Sequence, residues 1–134
     1  MTITYREEPE LTAVEFREVL IASTLGERRP VDDLARLATM LAHAQVILTA
    51  RDAGRLVGVS RAITDRAFAT YLTDLAVDVA YQGQGIGRQL ITRTHAAAGL
   101  TTTLVLVSAP GAESFYPTTG MTHHHACWKI DRTL

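Results

Sequence analysis

The chain has 134 residues, 47% of them hydrophobic, and a formal net charge of −1. That is enough for one domain with a buried core, taken as residues 1–134, and the near-neutral charge argues against a broad nucleic-acid surface. No run of about 20 apolar residues is present to cross a membrane, and the one cysteine, Cys127, excludes a disulfide framework and points to a reducing compartment.

Ile3-Thr4-Tyr5 reads as a short first strand stopped by Pro9. The spacing of apolar residues predicts a first helix over Leu11–Leu25 with Gly26 as its stop, then a polar connection, Glu27-Arg28-Arg29-Pro30. A second helix is predicted over Val31–Ala44, and Val46–Ala50 reads as a strand. Asp52–Arg55 makes a turn, and Leu56–Val59 returns as a hairpin partner. Phe68–Val79 reads as the central strand, followed by a glycine-rich turn and a helix closing near Gly99. Thr103–Val107 has the continuous apolar character of a buried strand. A short helix over Ala112–Phe115 and a final strand over Met121–Ile130, with Trp128 filling the core or a dimer seam, complete the order β-α-α-β-β-β-α-β-α-β. The fold class is α/β, a mixed sheet flanked by helices. The opening Met-Thr-Ile-Thr-Tyr-Arg lacks the layout of a secretory signal, so the expected location is cytoplasmic.

Strand, glycine-rich turn and helix in succession make an anion site. Glycine lets backbone N–H groups approach a ligand closely, and the helix N-terminus adds partial positive charge. The guest is expected to be a phosphate or pyrophosphate. A nucleotide P-loop needs Gly-Lys-Ser/Thr, whereas Gly87 precedes Arg88 and Gln89. A dinucleotide fingerprint needs Gly-x-Gly-x-x-Gly and an acidic residue ending the next strand, and both are missing.

What remains is Gln82-x-x-Gly85-x-Gly87 after Leu75-Ala76-Val77. This resembles the coenzyme A loop of the GNAT N-acetyltransferases, Gln/Arg-x-x-Gly-x-Gly/Ala. Phe115-Tyr116-Pro-Thr-Thr-Gly120-Met121 is similar to the C-terminal Phe-Tyr-x-x-x-Gly-Phe element of that family, with Met in the last place. One helix and one strand lie between the two motifs, as in the family, and the element order extends the resemblance over nearly the whole chain.

The resemblance implies a GNAT fold and an acetyl-coenzyme A-dependent N-acetyltransferase that works by direct attack of a primary amine on the thioester. Its pantetheine arm would pair with the strand at Leu75, Ala76 and Val77. The pyrophosphate would rest on the turn formed by Gln82, Gly83, Gln84, Gly85, Ile86, Gly87 and Arg88. Tyr116 takes the position of the family's proton donor to the departing thiolate. Family members often carry a glutamate base on the central strand; this chain offers Tyr71, Thr73 and Asp74 there instead. Period-two alternation puts Tyr71 and Thr73 on the face of Leu75 and Val77, with Asp74 opposite, unless a bulge re-aims it. Asp74 is either a structural hydrogen-bonding group or part of substrate binding and proton removal. Arg29 is the candidate for acceptor binding, because the connection carrying it borders the acceptor cleft in the family. His123, His124 and His125 make a poor metal site, and no metal is expected.

The favoured acceptor is a small-molecule amine, because little sequence lies beyond the core fold. Acetylation of a protein stays open, as does a catalytically silent acyl-coenzyme A sensor, motivated by the missing glutamate. The resemblance also leaves a homodimer open.

Overall fold

The computed structural model describes residues 2–133. The first strand, β1, is Ile3–Glu7, and the first helix, α1, is Ala13–Ala22. It starts after Leu11 because the Thr12 hydroxyl caps it, accepting from the Glu15 N–H at 3.2 Å. It ends before Gly26, because the Ser23 hydroxyl donates back to Leu20 O and Thr24 takes the left-handed conformation at φ 72°. Gly26 therefore does not stop the helix. It is buried against α1, where a Cβ would meet Leu20 O and Ile21 Cα at 3.2 Å. A 3₁₀ turn follows at Leu25–Arg28, then α2, Leu34–Ala42, capped by Asp33 on the Arg36 N–H at 3.0 Å.

The sheet comprises β2 (Val46–Asp52), β3 (Arg55–Thr64), β4 (Ala69–Val77) and β5 (Thr103–Val105) in addition to β1. Its order is β1-β2-β3-β4-β5; the first four strands are antiparallel, and β5 is parallel to β4. Between β4 and β5 runs the third helix, α3, Ile86–Ala98. Ala53 and Gly54 close the β2–β3 hairpin with positive φ at both residues, 48° and 87°, which matches the twist of the flanking strands.

Apolar side chains fill both faces of the sheet. Phe16, Leu20, Leu37 and Leu41 pack with Ile47, Val59 and Ala76 beneath α1 and α2. Val46, Leu48, Ala50, Val57 and Ala62 pack with Ile86 and Leu90 beneath α3. The switch from Val57 on one face to Val59 on the other reflects a β3 bulge, since Gly58 opposes Ala50 while Leu56 opposes Arg51.

The C-terminal quarter departs from the sequence pattern. Strand β5 stops at Val105, and Val105 and Val107 are 54% and 63% exposed, so this strand is not the buried one expected over Thr103–Val107. The predicted helix at Ala112–Phe115 is displaced to a 3₁₀ turn at Tyr116–Thr119. No strand forms over Met121–Ile130, and Trp128 is 92% exposed rather than filling the core. A strand needs a neighbouring edge as well as β-forming residues, and β5 presents only three residues of one. Among the described residues, no helix is long and apolar enough to cross a membrane.

Behind β1, Glu8 is 4% exposed and holds Arg51 through two hydrogen bonds, at 2.8 and 2.9 Å. Those bonds, chiefly, and further ones from Thr49 and Arg6 keep its carboxyl down at about 2 despite burial. A depressed folded-state pKa contributes stability above the unfolded value of about 4.3, and that stability is lost as pH falls toward 2. Glu8→Gln is therefore expected to be less stable than the wild type by on the order of 2 kcal/mol near neutral pH. Urea denaturation across pH should show that gap closing between about pH 4.5 and 2. A gap that stays constant with pH would show that the carboxylate charge is not what stabilises the fold.

Candidate active site

Strand β4 is paired along its whole length with β3, but β5 joins it only from Ala69 to Tyr71. Beyond Tyr71 no strand pairs with the edge that faced β5, through Thr73, Leu75 and Val77, although side chains take the carbonyls of Thr73 and Val77 at its two ends. The open stretch from Thr73 to Val77 is roughly 13 Å long at ~3.3 Å per residue. At its far end Asp78 anchors a 3₁₀ turn, Val79–Tyr81, by accepting from the Ala80 N–H at 2.9 Å and pairing with Arg55.

The glycine turn follows. Gly83 and Gly85 sit at φ 78° and 84°, which side-chain-bearing residues rarely adopt, and a Cβ on either would meet nothing within 4 Å. Their role is conformational, and the concave side of the turn stays open. The first intrahelical bond of α3 runs from the Gln89 N–H to Gly85 O. The N–H groups of Ile86, Gly87 and Arg88 thus precede any helical acceptor, at the positive end of the helix. Gly87 serves differently: a Cβ there would lie 2.9 Å from the Phe115 ring. Gln82 turns away from the turn and donates from Nε2 to Val77 O at 3.0 Å, closing the end of β4.

That Phe115 contact joins the two sequence motifs. Arg88, a cation in the first turn of a helix where the dipole disfavours it, donates to Thr118 O and ties α3 to the 3₁₀ turn at Tyr116–Thr119. Tyr116 packs edge-to-face on Phe115 with ring centres 5.1 Å apart. It is partly buried, and that burial raises its hydroxyl above the ordinary tyrosine value, keeping it protonated at neutral pH.

At the other end of the open edge, β4 is bulged. Arg61 opposes Asp74 while Ala62 opposes Leu72, so Thr73 is the extra residue. Asp74 keeps the face opposite Leu75 and Val77, as alternation predicts, and the bulge brings the Thr73 hydroxyl to the same guanidinium: Arg61 donates from Nε to Asp74 Oδ2 and from Nη2 to the Thr73 hydroxyl. Arg29 donates from Nε to Asp74 Oδ1 and from Nη2 to Thr73 O, the latter at 2.8 Å. Asp74 is 1% exposed, and each of its oxygens accepts from a different arginine. Tyr71, 43% exposed, stands one turn of the pleat away with no side-chain partner of its own among the described residues.

Sequence reasoning passed over Arg61. The signal was present, because an arginine inside the apolar run Val57–Ile63 needs an anionic partner, and Asp74 was the carboxylate in the neighbouring strand. His123 and His125 lie edge to face with ring centres 4.4 Å apart, and no group of three metal-binding side chains occurs among the described residues.

Residues 22–126 match the family model described as the acetyltransferase (GNAT) domain. A histone acetyltransferase of Glycine max is 34% identical over 77 residues, covering 49% of this chain and 32% of that protein. The chain spans about a third of the length of the curated relatives it matches. A GNAT-family acetyltransferase of Streptococcus pneumoniae has a similar structure, with a TM-score of 0.76 at 22% identity over 99% of this chain and 98% of that one. An aminoglycoside acetyltransferase from a soil metagenomic sample, in complex with sisomicin, is similar at a TM-score of 0.74 and 19% identity, covering 98% and 96%.

The two kinds of glycine call for different substitutions. Gly85→Ala is expected to cost about 1–2 kcal/mol through its left-handed backbone, whatever surrounds it. Gly87→Ala is expected to cost about 1–3 kcal/mol by overpacking against Phe115, and most of that loss should vanish in a Phe115→Ala background. A double-mutant cycle by urea denaturation reads both; an undiminished Gly87→Ala penalty without Phe115 would refute the steric account.

Proposed function

The chain belongs to the GNAT acetyltransferase family, and from that premise we propose that it moves the acetyl group of acetyl-coenzyme A to a primary amine of a small molecule. The observation that carries this reading is the open edge of β4 running into the glycine turn. Coenzyme A has an extended arm with amide groups and a pyrophosphate at its end. The open edge offers the backbone N–H and C=O of Leu75 and the N–H of Val77, with Ala76 between them turned to β3, and the turn from Gln82 to Arg88 offers donors to an anion. The residues present therefore fit this co-substrate.

When bound, acetyl-coenzyme A supplies the activated acetyl thioester. The contributions of the chain are orientation and proton transfer. Pairing along β4 aims the arm toward the bulge at Thr73, and the glycine turn holds its anionic end. Tyr116 donates its phenolic proton to the departing thiolate as the C–S bond breaks, and its raised pKa keeps that proton in place until then. The proton that the nitrogen loses on forming the amide passes to solvent, from which Tyr116 is reprotonated. Asp74 has both oxygens taken by guanidinium N–H groups, so it serves to position Arg29 and Arg61 rather than to remove a proton. The amine is then expected to reach the thioester already deprotonated, delivered from solvent past Thr73 and Tyr71.

The likeness to an aminoglycoside acetyltransferase supports a small-molecule acceptor. A catalytically silent acyl-coenzyme A sensor is the competing reading, favoured by the full engagement of Asp74. Free-thiol release from acetyl-coenzyme A over a panel of amines separates the two. Amine-dependent release that falls by roughly 10²-fold or more in Tyr116→Phe, with coenzyme binding retained, is the expected outcome. Tight coenzyme binding without release for any amine would sink the transferase reading.

A further inference from the structure

The bulge in β4 concentrates positive charge. Two guanidinium groups share one carboxylate, so the Arg29–Asp74–Arg61 cluster carries one excess positive charge at the edge where the open part of β4 begins. The remaining acceptors of this cluster are neutral: Thr73 O, the Thr73 hydroxyl, Arg28 O and Met40 O. The carboxylates on the connection that carries Arg29 do not offset the excess. Glu27, Asp32 and Asp33 are exposed to solvent, and Asp33 accepts from the Arg36 N–H as the cap of α2.

The two arginines differ in access. The Arg61 side chain is 9% exposed and lies under α2, whereas that of Arg29 is 24% exposed. A guanidinium has five N–H donors. Arg29 uses three of them, on Asp74, Thr73 O and Arg28 O, which leaves one on each terminal nitrogen for a group arriving from solvent. Its planar fork is held from one side by a buried carboxylate, so its orientation is set before any ligand arrives.

We propose that Arg29, backed by Asp74 and Arg61, is the specificity-determining anchor for a carboxylate on the acceptor, and that the preferred substrates are amines bearing such a group. This rests on the acetyltransferase reading above and narrows it. The same excess charge repels polycationic acceptors, so a site of this kind selects against diamines, polyamines and aminoglycosides.

The test uses short ω-amino carboxylates of increasing length, each beside its carboxamide and the diamine of the same length. Thiol release is followed in wild type, Arg29→Met and Arg29→Lys. At the best length, the carboxylate is expected to exceed its partners in kcat/KM by roughly tenfold or more, the scale of a charged hydrogen bond. Arg29→Met loses that preference through KM rather than kcat, and Arg29→Lys recovers part of it. Pentanoate, an anion with no amine, competes with the acceptor in wild type. This last measurement keeps the proposal testable if Arg29→Met does not fold. Carboxamides or diamines acetylated as well as the carboxylates would overturn the proposal while leaving the acetyltransferase standing. Absence of thiol release for every amine would overturn both.

Discussion

A carboxyl group that is 1% exposed in the middle of a sheet needs hydrogen-bonding partners for both oxygens, and Asp74 draws two arginines. Arg61 comes from the adjacent strand. Arg29 comes from the connection between α1 and α2, far away in sequence. In reaching Asp74 it ties that connection to β4, and it also grips the backbone of Thr73 at the bulge. The bulge, the path of the α1–α2 connection and the charge beside the open strand edge are thus linked through one buried group. Removing either arginine would strand charge; removing Asp74 would leave two cations facing each other.

The second half of the site depends on a mismatch in length. Strand β4 continues for six residues past its last pairing with β5, and only there does its edge lack a strand partner. A sheet edge normally invites pairing with other chains. Here it leads directly into a helix N-terminus with uncommitted N–H groups, so both an extended polar arm and its anionic end find partners along one continuous track. Phe115 against Gly87 and Arg88 on Thr118 O hold the Tyr116 turn next to that track.

Within a shared fold, then, electrostatics at the bulge is where acceptor choice is expected to reside. The likeness to other GNAT structures lies below 25% identity and speaks to the scaffold. A carboxylate fully occupied by arginines and an arginine with donors to spare are properties of this chain's own residues.

The sequence alone carried the family, the order of elements through α3 and the glycine turn, because these rest on local rules: apolar periodicity, capping side chains and the backbone freedom of Gly83 and Gly85. It also pointed to Arg29 and Asp74 as residues of interest without linking them. Their pairing spans 45 positions and depends on how the α1–α2 connection crosses the sheet, which no local pattern encodes. The bulge at Thr73 was likewise invisible to period-two reasoning, since it arises from register with β3. The C-terminal strand failed for a related reason: Met121–Ile130 has strand-like residues, but β5 ends too soon to give them an edge. Local stereochemistry is written in neighbouring residues, whereas charge pairing, register and edge availability exist only once distant segments share a place in space.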